Sequence, residues 1–208
     1  MINYLKSFVA SSHLFWKFRH TFDKNLKIQK KGNSYYTYFE SIIDKLKPDS
    51  ILDYGCGTAD LLYYLKIHYE DIKIMGVDLN KNVISYNKKI FKSFSDKEYI
   101  FSKETDGNAI NDMKNKLNIN NLDLVIFERV LYIMGDRNID QLLNYLSTCT
   151  KRIYIDDFFI PNNYKSLYKH RNWDRILKNH SFLPYENFIS PHREMSHANP
   201  IAKIYEKK

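Results

Sequence analysis

Hydrophobic positions along this chain of 208 residues change period several times, and each change predicts an element. Tyr35, Tyr38, Phe39, Ile42, Ile43 and Leu46 recur every three to four residues. That stripe predicts a helix, which Asn33 or Ser34 can cap and which Pro48 ends. Beyond it, short apolar runs alternate with amphipathic stripes. Strands are predicted at Ser50–Tyr54, Lys73–Val77, Glu98–Phe101, Asp123–Phe127 and Arg152–Phe159. Between them lie predicted helices at Thr58–His68, from Asn80 to about Phe91, from Ala109 to Leu117, and from Asp136 through Leu146. A further helix is predicted at Asn163–Lys178, then a closing strand pair, Glu186–Ile189 and Ile201–Tyr205, around Ser190–Pro200. Apolar strands alternating with helices predict an α/β fold. Its centre is a doubly wound, mostly parallel seven-stranded sheet with helices on both faces and an antiparallel last strand.

Residues 1–33 read as a separate arm or lid before a domain at 34–208. Leu5, Phe8, Val9, Phe15, Trp16, Phe18 and Phe22 fit much of a helical stripe there, with His13, Lys17, Arg19 and His20 between them. Net charge sharpens the contrast. The whole chain carries +8, and this arm holds seven Lys/Arg against one acid, Asp23. The excess therefore sits in the arm, where it attracts anions such as phosphorylated metabolites, nucleic acid or acidic lipid. A hydrophobic fraction of 44% argues against disorder. No apolar run approaches the roughly 20 residues that span a bilayer. Met1–Ala10 contains Lys6 and lacks the long apolar centre of a secretion signal, so a cytoplasmic protein is expected. Cys56 and Cys149 have no metal-ligand spacing, and no metal site is expected. Nothing in the sequence sets an oligomeric state.

The chemistry concentrates after the first strand. Asp53-Tyr54-Gly55-Cys56-Gly57-Thr58 leaves an apolar strand through two glycines, which let backbone approach a ligand closely. The following helix aims its free N–H groups at the same place. Asp78 ends the second strand, 21 positions after Gly57, placed to accept the two hydroxyls of a ribose. A dinucleotide fingerprint would need a third glycine where Asp60 stands. The alternative, an acid followed by glycines at every second position, fits with Ala59 in place of the last glycine.

On these residues the chain resembles the class I S-adenosylmethionine-dependent methyltransferases. Asp53–Thr58 looks like their first motif, Gly76-Val77-Asp78 like their second, and Gly107-Asn108-Ala109 like the element that contacts adenine. Leu122–Met134 is similar to their fourth strand and following turn, with Tyr132 where many members carry histidine. The likeness covers roughly residues 34–160. It implies S-adenosylmethionine as cofactor and S-adenosylhomocysteine as product. It also implies roles. Gly55, Cys56 and Gly57 pass the methionine moiety, while Asp53 orders that turn or engages the amino group. Asp78 takes the ribose, and Leu79 and Ala109 flank the adenine. Asn108 reads the adenine edge, or is a helix N-cap. Phe127, Glu128 and Arg129 lie near the sulfonium, or Glu128 and Arg129 pair with each other.

The acceptor is read from less. A hydroxyl acceptor needs a base, whereas nitrogen or sulfur needs little more than alignment. The loop after the sixth strand, with His192, Arg193 and His197, is expected on the cofactor face; His192 and His197 are the candidate bases. Tyr132 is a pocket wall or a proton carrier. His13, Trp16, Arg19, His20, Arg129 and Arg193 are the expected substrate contacts. The leading reading is O-methylation of a small, anionic, phosphorylated or nucleotide-linked metabolite. RNA is the second reading, since basic and aromatic residues interleave in the arm. A catalytically degenerate cofactor-binding subunit is the third, and the arm's stripe also suits a membrane surface.

Overall fold

All five residues of β1 (Ser50–Tyr54) are buried, a pattern that only a strand covered on both faces produces. The computed structural model describes residue 27 and residues 32–159, 168–191 and 201–208. Around β1 the described elements are α1 (Asn33–Leu46), α2 (Asp60–His68), β2 (Lys73–Val77), α3 (Lys81–Ile90), β3 (Tyr99–Ser102) and α4 (Gly107–Lys116). They continue with β4 (Leu122–Glu128), α5 (Asp136–Cys149), β5 (Thr150–Asp157), α6 (Trp173–Asn179), β6 (Phe182–Ile189) and β7 (Ile201–Lys207). Short 3-10 turns lie at Phe91–Ser93 and Leu131–Ile133.

The seven strands form one sheet in the order β3-β2-β1-β4-β5-β7-β6. Strands β1 to β5 pair in parallel, and β7 pairs antiparallel with both β5 and β6. Strand β6 therefore runs in the direction of β1–β5. Strand order reverses between β1 and β4, the place where such sheets bind ligands beyond their carboxyl ends.

Side chains alternating along each strand feed two separate cores. Leu52, Val125, Phe127, Ile153 and Ile155 join the core that α4, α5 and α6 close with Ile110, Leu143 and Trp173. Ile51, Leu124, Ile126 and Tyr154 join the other, closed by α1, α2 and α3 with Phe39, Leu62 and Ile84. Each such side chain stabilises the fold by about 1.5–3 kcal/mol, so the sheet is a rigid base for the loops at its carboxyl edge.

Several element ends differ from expectation, each for a local reason. Gly32, not Asn33 or Ser34, occupies the N-cap of α1, with no side-chain cap bond. Helix α2 begins at Asp60 rather than Thr58, because Gly57 and Ala59 take left-handed φ values of +51° and +54°. Helix α4 begins at Gly107 rather than Ala109, because Asp106 caps it, accepting from the Ala109 N–H at 2.8 Å. Strand β5 spans Thr150–Asp157 rather than Arg152–Phe159: the Phe158 N–H turns to its neighbour, Asp157 Oδ1, at 2.8 Å. Strand β6 starts at Phe182 rather than Glu186, because Pro184 disguises its first half as a turn and the ladder shifts register between Pro184 and Glu186. The helix expected from Asn163 is described only as α6, capped by Asn172 through the Arg175 N–H; residues 160–167 lie outside the described residues.

Candidate active site

Beyond β1 the chain folds back across the carboxyl end of the sheet. The N–H groups of Gly55 and Cys56 both donate to the Val77 carbonyl, at 2.8 and 3.0 Å, fastening the turn to the end of β2. Gly55 has φ +85°, and a Cβ there would stand 2.7 Å from Val130 Cγ2. Gly57 has φ +51°, and a Cβ there would meet nothing within 4 Å, so its bare face opens on a cavity. Asp78 holds this arrangement from below: Oδ2 accepts from the Gly57 N–H at 3.0 Å and Oδ1 from the Asn80 N–H at 2.8 Å. Asn87, on α3, donates from Nδ2 to the Gly57 carbonyl at 2.8 Å. Ala59 keeps the left-handed conformation that a glycine would supply, despite its Cβ, at a cost of about 1 kcal/mol.

The cavity measures about 790 Å³. Asp53, Asp60, Asp78, Asp106 and Glu128 border it, and Arg129 is the only cation among the described bordering residues. Tyr35, from α1, donates its hydroxyl to Glu128 Oε2 at 2.5 Å. Burial first, then the charges of Glu128, Asp60 and Asp53, hold this phenol well above its ordinary pKa. Burial first, then Asp53 and Asp78, likewise push the Cys56 thiol up. Cys56 is thus a protonated wall residue and no nucleophile at neutral pH. A field of this sign suits a cationic ligand.

The second wall comes from the turn after β4. Arg171 is buried and clamps that turn: its guanidinium donates to the Leu131 carbonyl at 2.8 Å, the Met134 carbonyl at 2.5 Å and Asp136 Oδ1 at 2.9 Å. Tyr132 sits in the turn and packs edge-on against Phe158 and Tyr168, which stack on each other with centroids 4.4 Å apart. Arg129 has φ +50°, a left-handed value that is strained for a residue of its size, beside the cavity. Its N–H donates to the Asp156 carbonyl at 2.7 Å.

Asp156 and Asp157, at the end of β5, are both fully buried and do not border the cavity. Asp156 accepts from Ser190 Oγ at 2.8 and 3.1 Å, so the chain leaving β6 starts beside the carboxyl ends of β4 and β5. Burial pushes the Asp157 carboxyl up to about 8, against the Phe158 amide and the Arg171 charge. An unfolded carboxyl titrates near 3.9. The folded chain therefore keeps a proton that the unfolded chain has lost, and stability present below about pH 4 declines as pH rises through about 8. Asp157→Asn retains an acceptor for the Phe158 N–H and cannot ionise. Melting temperatures taken between pH 4 and pH 9 should fall less steeply in this variant than in the parent; parallel curves would remove Asp157 as the cause.

The expected cofactor contacts Asp53, Gly55, Cys56, Gly57, Asp78, Leu79 and Glu128 all border the cavity, as do Arg129 and Tyr132. Three other expected contacts do not. Phe127 is fully buried against the Tyr54 ring, with centroids 5.3 Å apart, because its strand parity points it into the core. Asn108 is exposed in the first turn of α4 and Ala109 is spent on the Asp106 cap; Thr105, Asp106 and Gly107 form that wall instead. Asp106 rather than Asn108 is the cap, and it borders the cavity. His13, Trp16, Arg19, His20, His192, Arg193 and His197 lie outside the described residues. Sequence reasoning missed Tyr35, Asn87, Asn138, Gln141 and Tyr168. Tyr35 sat inside a stripe that reads as core, and the others carry no motif.

The residues present fit S-adenosylmethionine. The open face of Gly57 leaves a cradle, Asp78 brings to the cavity's border the carboxylate that a ribose diol needs, and the carboxylates around Tyr35 match an ammonium and a sulfonium. Comparisons agree. A family model described as a methyltransferase domain matches residues 45–181. No curated protein sequence matches the chain. Among solved structures, the chain is similar to the Burkholderia thailandensis 1,6-didemethyltoxoflavin-N1-methyltransferase, at 12% identity and TM-score 0.63, covering 98% of this chain and 89% of that one. It is similar to the Synechocystis magnesium protoporphyrin IX methyltransferase with bound S-adenosylhomocysteine, at 11% identity and TM-score 0.61, covering 98% and 99%. It spans only 50% of the mitomycin 7-O-methyltransferase MmcR, with 78% of this chain covered, at 10% identity and TM-score 0.59. No helix among the described residues is long and apolar enough to cross a membrane.

Proposed function

The chain belongs to the methyltransferase-domain family and its cofactor is S-adenosylmethionine; on that premise we propose that it methylates an oxygen of a small molecule, with an acidic substituent of that molecule paired to Arg129. One observation carries this reading. The cavity does not end at the glycine turn and Asp78 but continues past Glu128 to Arg129, Tyr132 and Tyr168, leaving room for a second molecule beside the cofactor. Its border of five carboxylates repels a phosphate backbone, which favours a small acceptor over RNA.

When bound, S-adenosylmethionine supplies a methyl group on a sulfonium. The chain's own contribution is alignment and exclusion of water. Gly55 and Gly57 bring backbone up to the cofactor, Asp78 fixes its ribose, and Glu128, oriented by the Tyr35 hydroxyl, places a negative charge at the sulfonium. A hydroxyl acceptor must also give up a proton, and His192 and His197 are proposed to take it on their chemistry as general bases.

Glu128 provides the test. S-adenosylmethionine is cationic at sulfur and S-adenosylhomocysteine is not. Glu128→Gln should therefore weaken the first by roughly fivefold more than the second, about 1 kcal/mol of Coulomb energy, in calorimetric titrations of both ligands. Equal losses would detach Glu128 from the sulfonium. Methyl-labelled cofactor should transfer label to a hydroxylated small molecule and none to bulk RNA; the reverse would replace the small-molecule reading with the RNA one.

A further inference from the structure

Strand order divides the cavity. The glycine turn and Asp78 follow β1 and β2, and Asp106 follows β3, so the ribose and base lie toward one edge of the sheet. The remaining space lies over β4 and β5, on the other side of β1. Its wall is built of rings. Tyr132 and Tyr168 both border the cavity, each 7% exposed. Phe158 is fully buried and stacks on Tyr168 with an interplanar angle of 8°. Tyr132 meets both rings edge-on, with centroids 5.3 and 5.1 Å away. Three rings that wedge one another cannot turn aside, so Tyr132 and Tyr168 form a fixed aromatic corner at the cavity's border, beside Ile133 and Met134.

Resting on the methyl-transfer reading, we infer that the acceptor is a planar aromatic or heteroaromatic ring bearing the methyl-accepting hydroxyl, seated against Tyr132 and Tyr168. Aromatic rings prefer edge-on or offset contacts with other rings, and a locked wall loses no side-chain freedom when a ring arrives. A sugar phosphate has no planar π face to set against these rings. In the reaction the hydroxyl oxygen forms the new O–CH3 bond and the S–CH3 bond breaks. The electron pair of that bond stays on sulfur as the neutral thioether, and the proton of the aromatic hydroxyl passes to water.

The test uses the full chain saturated with S-adenosylhomocysteine and three probes: 3-hydroxy-2-naphthoate, its decahydro analogue, and glucose 6-phosphate. The naphthoate should bind at least about tenfold tighter than either of the others. Tyr132→Leu and Tyr168→Leu should erase most of that preference, and the corresponding Phe variants should retain it. Equal or better binding of the decahydro analogue or the sugar phosphate, with S-adenosylhomocysteine still bound, overturns the planar acceptor and leaves methyl transfer standing. Failure of S-adenosylhomocysteine to bind overturns methyl transfer itself. If the Leu variants do not fold, the ranking of the three probes on the parent chain still decides.

Discussion

Asp78→Ala should raise the dissociation constant for S-adenosylhomocysteine by about 100-fold or more, read by titration calorimetry. Two charge-assisted hydrogen bonds to a ribose, each contributing about 1.5–3 kcal/mol, set that scale. The loss has a second source. The same carboxylate accepts from the N–H groups of Gly57 and Asn80, so its removal also frees the glycine turn that borders the cavity. Asp78→Asn, which keeps one acceptor oxygen, should fall between the parent and the alanine variant. A change smaller than threefold in the alanine variant would place the ribose elsewhere.

The next largest effect is expected at Gly55. A Cβ there would meet Val130 Cγ2 at 2.7 Å and Val130 Cβ at 3.0 Å, on a residue with φ +85°. Left-handed strain costs about 1–2 kcal/mol and overpacking about 1–3 kcal/mol. Gly55→Ala should therefore lower stability by roughly 2–5 kcal/mol in denaturant unfolding and weaken cofactor binding as the turn moves. Val130→Ala removes the clash and leaves the strain. Combined with Gly55→Ala it should recover part of the loss, a coupling that a double-mutant cycle measures. Strict additivity would mean that the two side chains do not meet. Gly57→Ala makes a useful contrast, since its Cβ would enter open cavity and should affect ligand binding more than stability.

The sheet and its order of elements were legible because strands buried on both faces must be continuously apolar, as Leu124–Phe127 and Ile153–Ile155 are. The turn at the cavity's border was legible for a different reason. Gly55, Gly57 and Asp78 are each required by geometry, and Ala59 shows that the requirement is the backbone conformation rather than the glycine itself. Element ends were harder to place where a cap decides them: Asp106 outcompetes Asn108 because its carboxylate reaches the Ala109 N–H from outside the helix. Parity misplaced Phe127, one residue before the strand reaches the cavity at Glu128. Tyr35, Asn87 and Tyr168 were illegible because their roles arise from contacts between elements distant in sequence. Tyr35 and Glu128 are 93 positions apart, and Asn87 and Gly57 are 30 apart. A periodic stripe cannot distinguish a core tyrosine from one whose hydroxyl reaches into a site.

The position of β7 has a consequence for how the protein is made. It lies between β5 and β6 although it follows both in the chain. A ribosome synthesising from the amino terminus thus completes β5 and β6 before the strand that joins them exists. Until Ile201–Lys207 emerges, β5 and β6 each expose backbone donors and acceptors that any passing strand can pair with. The nascent chain is most vulnerable to association in that interval, and a truncation before Ile201 would make the interval permanent.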